Sequence, residues 1–161
     1  MPSASLLRSA CASALLAVAA ARSALLGDLS DCGSPLFKFG NMGIAPDPPL
    51  PGLPASLNAS GTLSAAVSGG NISVNVFYLG LDLFSASAFT CGNTSIELPL
   101  GAGTIDVWGF QNCPAAANSP QTINMTVTLP TVTPPGEYEL ILNATDASLN
   151  PIWCLNATFT E

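Results

Sequence analysis

The sequence lacks histidine entirely, and only three of its 161 residues are lysine or arginine. Without histidine, neither a Ser-His-Asp nor a Cys-His arrangement can form, so the common routes of nucleophilic catalysis are excluded. A carboxylate pair could still act as acid and base, but nothing singles out a pair among Asp82, Glu97, Asp106, Glu137, Glu139 and Asp146. We therefore predict that the protein is not an enzyme and has no catalytic residues.

Positive charge is nearly absent from the main part of the chain. Beyond residue 24, Lys38 is the one basic side chain against ten acidic ones, which gives a net charge of −9. Binding to nucleic acid needs a footprint of lysine and arginine on the phosphates, so nucleic acid is excluded as a partner. A polybasic patch for anionic membranes is missing as well, and any contact with lipid must be apolar.

Long apolar runs are missing except near the N-terminus. There, Arg8 precedes a run of 13 residues from Ser9 to Ala21, and small residues such as Ala24 follow. The run is shorter than the ~20 residues of a membrane-spanning helix, so residues 1–24 are predicted to be a secretory signal peptide. An organelle transit peptide is the alternative, because the segment is rich in serine and lacks acidic residues. Residues 25–161 are expected to form one soluble domain, located outside the cell or in the lumen of a lysosome or vacuole.

Four cysteines remain in the exported part of the chain, since Cys11 lies inside the apolar run. An even number of cysteines in an exported chain favours two disulfides. The residues Cys32, Cys91, Cys113 and Cys154 allow three connectivities, and sequence alone does not choose among them. With no histidine and no Cys-x-x-Cys pair, no metal site is expected, and no glycine-rich phosphate loop points to a cofactor.

Short segments with alternating apolar and polar side chains make up most of the mature chain, separated by proline and glycine. This pattern is typical of antiparallel strands and unfavourable for long helices. The clearest segment is Ile123 to Leu129, and the others are Asn71 to Tyr78, Glu137 to Thr145, Trp153 to Phe159 and a run containing Leu57, Ala59 and Leu63. Residues 46–54 are expected to be a rigid proline-rich connector, and residues 134–136 a turn.

Six Asn-x-Ser/Thr sequons predict a glycoprotein, since an asparagine that carries a glycan lies at the surface. All but Asn93 fall on the polar positions of the alternating segments, and a shift of one residue would turn them into the core. The two patterns therefore support one register. The sequons are at Asn58, Asn71, Asn93, Asn124, Asn143 and Asn156.

Several short motifs follow one another in a recognisable order: Asp31-Cys32-Gly33-Ser34, Phe89-Thr90-Cys91, Asn112-Cys113-Pro114 and Ile152-Trp153-Cys154. In this order they resemble the myeloid-differentiation-related lipid-recognition family, or ML domain, which includes sterol carriers, phosphatidylglycerol/phosphatidylinositol transfer proteins and a ganglioside activator. The resemblance implies an all-β fold: an immunoglobulin-like β-sandwich of two antiparallel sheets with an internal hydrophobic cavity. It also implies the disulfides Cys32 to Cys154 and Cys91 to Cys113, while an additional early disulfide of the sterol carriers has no counterpart here.

The inward-facing side chains of the strands are the candidate ligand site. Alternation alone fits a solid core as well as a lipid cavity, and the resemblance favours the cavity. The residues expected to line it are Ile72, Val74, Val76, Tyr78, Phe89, Ile123, Met125, Val127, Tyr138, Leu140, Leu142 and Trp153.

An apolar segment between Cys91 and Cys113 is the candidate cavity mouth. In the segment Ile105 to Phe110, we expect Val107, Trp108 and Phe110 to form this mouth, because aromatic rings suit a membrane interface. The alternative is an ordinary strand with buried aromatic side chains.

These expectations together predict a lipid-binding and transfer protein that holds a sterol or phospholipid between two sheets. The expected partners are a lipid ligand and, transiently, a membrane; a membrane acceptor protein or a hydrolase is a further candidate partner. One alternative is an activator that presents glycolipid to a hydrolase. Another is a structural or adhesive glycoprotein domain with a solid core and no ligand.

Overall fold

The computed structural model describes residues 27–101, 103–128 and 130–160. The predicted signal peptide, residues 1–24, lies outside the described residues. No helix in the described part of the chain has the length and hydropathy to cross a membrane. The ten strands are β1 (Asp28–Asp31), β2 (Phe37–Ala45), β3 (Pro54–Leu63), β4 (Gly70–Tyr78), β5 (Leu81–Phe89), β6 (Asn93–Glu97), β7 (Thr104–Trp108), β8 (Pro120–Thr128), β9 (Glu137–Asp146) and β10 (Pro151–Thr160), and a short 3-10 helix spans Pro99–Gly101.

The strands form two five-stranded sheets. The first sheet has the order β1-β10-β9-β4-β5, and the second has the order β2-β3-β8-β7-β6. Every pair of neighbouring strands is antiparallel. The predicted immunoglobulin-like sandwich is therefore confirmed.

The core lies between the two sheets, where one alternate set of side chains from the inner strands β3, β4, β8 and β9 is buried. In β9 these are Tyr138, Leu140, Leu142 and Ala144, as the alternation predicted. The register places Leu142 beside Val74 of β4 on the same face. All five alternating segments are confirmed as strands. Successive side chains of a strand point to opposite faces of the sheet, so the apolar set of each segment faces the other sheet and the polar set faces water.

Strands β1, β2, β5 and β6 were not predicted. In β2, glycine interrupts the alternation, and the pairing with β3 shifts register between Phe39 and Asn41. In β5, the apolar side chains of Leu81, Leu83 and Phe89 are exposed, so apolar residues do not mark the inner face. Both are edge strands, which are held by only one neighbour and need no clean periodicity.

Two disulfides join the chain as the family resemblance implied. One links Cys32, just after β1, to Cys154 in β10, and the other links Cys91 to Cys113 around the β6–β7 hairpin. The second bridge closes a segment that places the fully buried Phe110 in the core, where its ring lies 5.9 Å from that of Phe37.

The turn between β9 and β10 is organised by one carboxylate. The Asp146 oxygens accept hydrogen bonds from the backbone N–H of Ser148 and from both the side chain and the backbone of Asn150. These bonds, led by the one from the Asn150 side chain, lower the pKa of Asp146. They therefore support the fold above the ordinary pKa of an aspartate, and this support is lost as the pH falls through the lowered pKa.

The sequon asparagines differ in accessibility. Asn58, Asn71 and Asn93 are exposed, whereas Asn124, Asn143 and Asn156 are half-buried. The Asn156 side-chain nitrogen, to which a glycan would be attached, donates a 2.7 Å hydrogen bond to Glu139 Oε1. Glycosylation remains a prediction, and the exposed asparagines are its best-placed sites.

A candidate ligand cavity between the sheets

A cavity of about 300 Å³ lies between the two sheets at the end of the sandwich that carries the β4–β5, β6–β7 and β8–β9 connections. Leu83, Pro99 and Pro134 line it and are exposed themselves, so the cavity reaches the surface at this end. Its walls come from both sheets and from the loops that join their strands. The lining residues are Val76, Leu83, Phe84, Leu98, Pro99, Ile105, Val127, Pro130, Thr133, Pro134, Tyr138, Glu139, Leu140 and Phe159.

The few polar groups in the wall are engaged with the protein. The Tyr138 hydroxyl donates to the Pro134 carbonyl at 2.9 Å, and the Thr133 hydroxyl donates to the Pro130 carbonyl at 2.9 Å. Glu139 alternates with the inward-facing Tyr138 and Leu140, so its carboxylate lies on the outer face, where it accepts the bond from Asn156. Since a polar group that is already bonded gains little from a ligand, the cavity selects for apolar shape.

The rings of Tyr138 and Phe159 line one side of the cavity, and the ring of Tyr78 packs behind them. The Tyr138 ring lies 5.0 Å from that of Tyr78 and is stacked at 5.5 Å on that of Phe159. The Tyr78 hydroxyl donates to the Pro135 carbonyl at 3.1 Å. A Cβ on Gly136 would lie only 2.7 Å from the Tyr78 ring. Both tyrosines therefore anchor the β8–β9 loop beside the cavity opening.

Eleven of the twelve predicted lining residues lie on the inner side of the sandwich. Four line the cavity: Val76, Val127, Tyr138 and Leu140. Tyr78 packs against Tyr138 beside it. Met125 is buried beside a second, smaller void. The other five belong to the buried core away from the cavity: Ile72, Val74, Ile123, Leu142 and Trp153. Alternation identifies the inner face of a strand but does not show where along the strand the sheets separate.

Phe89 does not take the predicted inward position. Its side chain is 62% exposed, while the neighbouring Ala88 is buried. The reason is the register of the edge strand: Ala88 pairs with the inward-facing Ile72, so Phe89 points to the opposite face.

The residues predicted to form the cavity mouth do not lie at the opening. Val107 and Phe110 are buried in the core, Trp108 is half-buried, and none of the three lines the cavity. The segment is an ordinary strand, β7, with buried apolar side chains, which is the alternative interpretation of the sequence. Of this segment only Ile105 reaches the cavity.

The residues that surround the actual opening were missed. Leu98, Pro99, Pro130 and Pro134 lie in connections, where no periodicity marks them. Phe159 was recognised as inward-facing but not as a lining residue. The clustering of proline and leucine in the connections at one end of the strands is the sequence feature that could have indicated the opening.

An apolar rim surrounds the opening on the outside. Leu79, Leu81 and Leu83 on the β4–β5 hairpin and Val132 on the β8–β9 loop are all exposed, Val132 by 84%. Acidic residues such as Asp82 and Glu137 lie near them in the chain. Lys38 lies at the start of β2 and pairs with Thr62, which in turn pairs with Pro120 at the far end of β8. Within residues 27–101, 103–128 and 130–160, the rim therefore has no basic side chain.

No group of three or more potential metal ligands is found within residues 27–101, 103–128 and 130–160. The polar side-chain groups that line the cavity are two hydroxyls, both hydrogen-bonded to the protein.

An immunoglobulin-like sandwich with an apolar cavity between its sheets is the class of protein that the fold and the site define. The chain belongs to the ML domain family, whose sequence model matches residues 28–161. The resemblance seen in the motifs is thereby confirmed.

Two relatives illustrate the sequence similarity. A protein of Dictyostelium discoideum, named as a candidate phosphatidylglycerol/phosphatidylinositol transfer protein, is 33% identical over 129 residues, which cover 79% of this chain and 81% of the relative. The phosphatidylglycerol/phosphatidylinositol transfer protein of Aspergillus fumigatus is 29% identical over 132 residues, covering 80% of this chain and 66% of the relative.

Two solved structures share the fold at low sequence identity. A Niemann-Pick type C2 protein from the Japanese carpenter ant matches with a TM-score of 0.52 at 17% identity, over 83% of this chain and 98% of the other. Chicken MD-1, solved in complex with lipid IVa, matches with a TM-score of 0.57 at 15% identity, over 84% and 88% of the two chains.

Proposed function

We propose that this protein binds a phospholipid, encloses one of its hydrocarbon chains in the cavity between the sheets, and carries it between membranes. The observation that carries the proposal is the cavity of about 300 Å³ with its apolar wall. A ligand-free adhesive domain is expected to have a solid core without such a cavity. The names of the relatives support a phospholipid over a sterol as the ligand.

The size of the cavity suits one chain. If a methylene takes about as much room as a water molecule, roughly 30 Å³, the space admits about ten methylenes. Burial contributes about 0.8 kcal/mol for each, or about 8 kcal/mol for ten, before the costs of association. Hydrocarbon burial alone is therefore sufficient for specific binding.

The headgroup is proposed to remain in water at the opening. A phosphate is normally bound by arginine, lysine or free backbone N–H groups, and the lining residues include no arginine or lysine. Lys38 is remote from the opening along the sheet. We therefore expect that the charge of the headgroup contributes little to affinity.

Export from the cell is part of the proposal. The two disulfides require an oxidising compartment in most organisms, and the predicted signal peptide and sequons agree with the secretory pathway. Extracellular fluid and the lumen of a lysosome or vacuole are the proposed locations.

Native mass spectrometry tests lipid binding directly. Protein secreted from eukaryotic cells and purified without detergent is expected to carry the added mass of one lipid per chain. After lipid extraction it should take up a chain-labelled phosphatidylcholine, with saturation at one molecule per chain. Folded protein, with both disulfides intact, that carries no lipid and takes up none would refute the proposal.

The apolar rim is proposed to enter the membrane during transfer. Leu79 is 62% exposed and has a positive φ of 49°, a conformation that aspartate tolerates. Leu79→Asp is expected to slow transfer from neutral phosphatidylcholine vesicles about tenfold, since burying one leucine contributes roughly 1.5–3 kcal/mol. Lipid affinity in solution should not change, because Leu79 does not line the cavity.

Leu149→Asp is the matched control for this experiment. Leu149 is 75% exposed with a φ of 65°, but it lies in the β9–β10 turn at the other end of the sandwich. Its replacement should leave the transfer rate unchanged. Equal effects of the two variants would show that the rim is not the membrane contact.

A further inference from the structure

A second, smaller void lies beside the cavity in the interior of the sandwich. It measures about 30 Å³ and is bounded by β2, β3, β8, β9, β10 and Pro49 of the β2–β3 loop. Three residues, Val127, Leu140 and Phe159, line both spaces. They therefore form the wall that divides the cavity from the void.

The void is apolar and has room for little more than one water or methylene, at roughly 30 Å³. Ser56 also borders it, but Ser56 alternates with the inward-facing Ala55 and Leu57, and its hydroxyl lies 3.4 Å from that of Thr126 on the opposite face of the sheet. An apolar space of this kind accepts an apolar guest. The end of a hydrocarbon chain is a suitable occupant if the wall can open.

Among the three wall residues, Phe159 is the least constrained. Val127 lies in β8, which is paired with strands on both sides, and Leu140 lies in β9, which is also paired on both sides. Phe159 is the second-last residue of β10, half-buried, and pairs with Tyr138 of β9. On its other side, pairing with β1 begins at Thr158, which faces Asp28. Within the described residues, no β1 residue is paired with Phe159.

A parallel ring stack holds Phe159 in place. Its ring is stacked on that of Tyr138 at 5.5 Å with an interplanar angle of 10°. Rotation of the Phe159 side chain away from Tyr138 would break this stack and leave the backbone pairing intact. The wall can thus open at the cost of one aromatic contact.

We propose that Phe159 determines the length of the hydrocarbon chain that the protein accepts, by closing the cavity off from the smaller void. This inference rests on the proposed lipid-binding function and names its length-determining residue. In the closed position the chain ends against the ring. When the ring is displaced or removed, the chain end continues between Val127 and Leu140 into the void beside Ala55 and Ala157.

Affinity for lysophospholipids with one saturated chain of increasing length tests this inference. For the unaltered protein, each added methylene should raise affinity by roughly fourfold until the chain meets Phe159, after which affinity should stop rising. For Phe159→Ala, the plateau should shift to longer chains by two or more methylenes. Phe159→Leu, which keeps more of the packing, should give a smaller shift in the same direction.

A second substitution distinguishes the void from a general widening of the cavity. Ala55 is buried, lines the void and does not line the main cavity, so Ala55→Val should fill the void from its far side. In the double variant Ala55→Val/Phe159→Ala, the plateau should lie at a shorter chain than in Phe159→Ala alone, because the void no longer takes the chain end. If the double variant keeps the longer plateau, or if neither Phe159 variant shifts it, the inference is overturned while lipid binding stands. If the unaltered folded protein binds no chain of any length, the proposed function fails instead.

Discussion

Val76→Trp is expected to prevent lipid binding in a protein that still folds. Val76 lies on β4, which is paired on both sides, and the residue lines the cavity and is only half-buried. The larger indole would occupy space that the hydrocarbon chain otherwise fills. A loss of about four methylenes of burial costs about 3 kcal/mol, so we expect a rise in Kd of roughly a hundredfold or more, measured by displacement of a chain-labelled phosphatidylcholine.

Two matched variants show whether the effect comes from the cavity. Val74 lies on the same face two residues earlier, where it is fully buried and lines neither space. Val74→Trp should therefore lower stability by overpacking, by 1–3 kcal/mol or more, whereas Val76→Trp should change the unfolding midpoint little. Val132→Trp adds the same ring on the exposed β8–β9 loop and should leave binding unchanged. A folded Val76→Trp protein with normal affinity would place the lipid elsewhere.

Removal of the Cys32 to Cys154 disulfide is expected to cause the largest loss of stability. The bridge joins residues 122 positions apart, whereas Cys91 and Cys113 are 22 positions apart. The loop-entropy relation gives about 5 kcal/mol for the longer loop and about 3 kcal/mol for the shorter one. Because domains of this kind have a total stability of only about 5–15 kcal/mol, the first loss brings the protein close to unfolding.

Urea unfolding of the two double-serine variants measures this difference. Cys32→Ser/Cys154→Ser should have the lower midpoint, and Cys91→Ser/Cys113→Ser the higher one. The comparison is internal, since both variants replace the same residue types in one chain. The reverse order would show that local packing around Phe110, and not loop length, dominates the contribution of the bridges.

Proteins named for phosphatidylglycerol and phosphatidylinositol transfer are similar in sequence, and both of those lipids are anionic. The residues that line the cavity in this protein, however, include no basic side chain. Selectivity in this protein is therefore expected to depend on the hydrocarbon chain. The rim likewise offers leucine and valine to a membrane, together with neighbouring acidic residues.

The position of the site could be predicted only in part. Val76, Val127, Tyr138 and Leu140 lie on inward positions of clearly alternating strands, and the cavity takes its walls from them. Leu98, Pro99 and Pro134 lie in connections and become lining residues only because the two sheets separate beside them. Phe89 was predicted to line the cavity, but it lies at the end of an edge strand and its apolar side chain points to the outer face.

The sequence by itself determined the fold class and the register of the central strands, and it led to the prediction that the protein does not bind nucleic acid. Its alternation has a period of two, and its missing histidine and scarce basic residues need no structure to be interpreted. The tertiary structure alone decided where along the sandwich the sheets part, which end opens, and that Val127, Leu140 and Phe159 border two neighbouring spaces in the interior. These features depend on the packing of side chains that are distant in sequence, which no local pattern records.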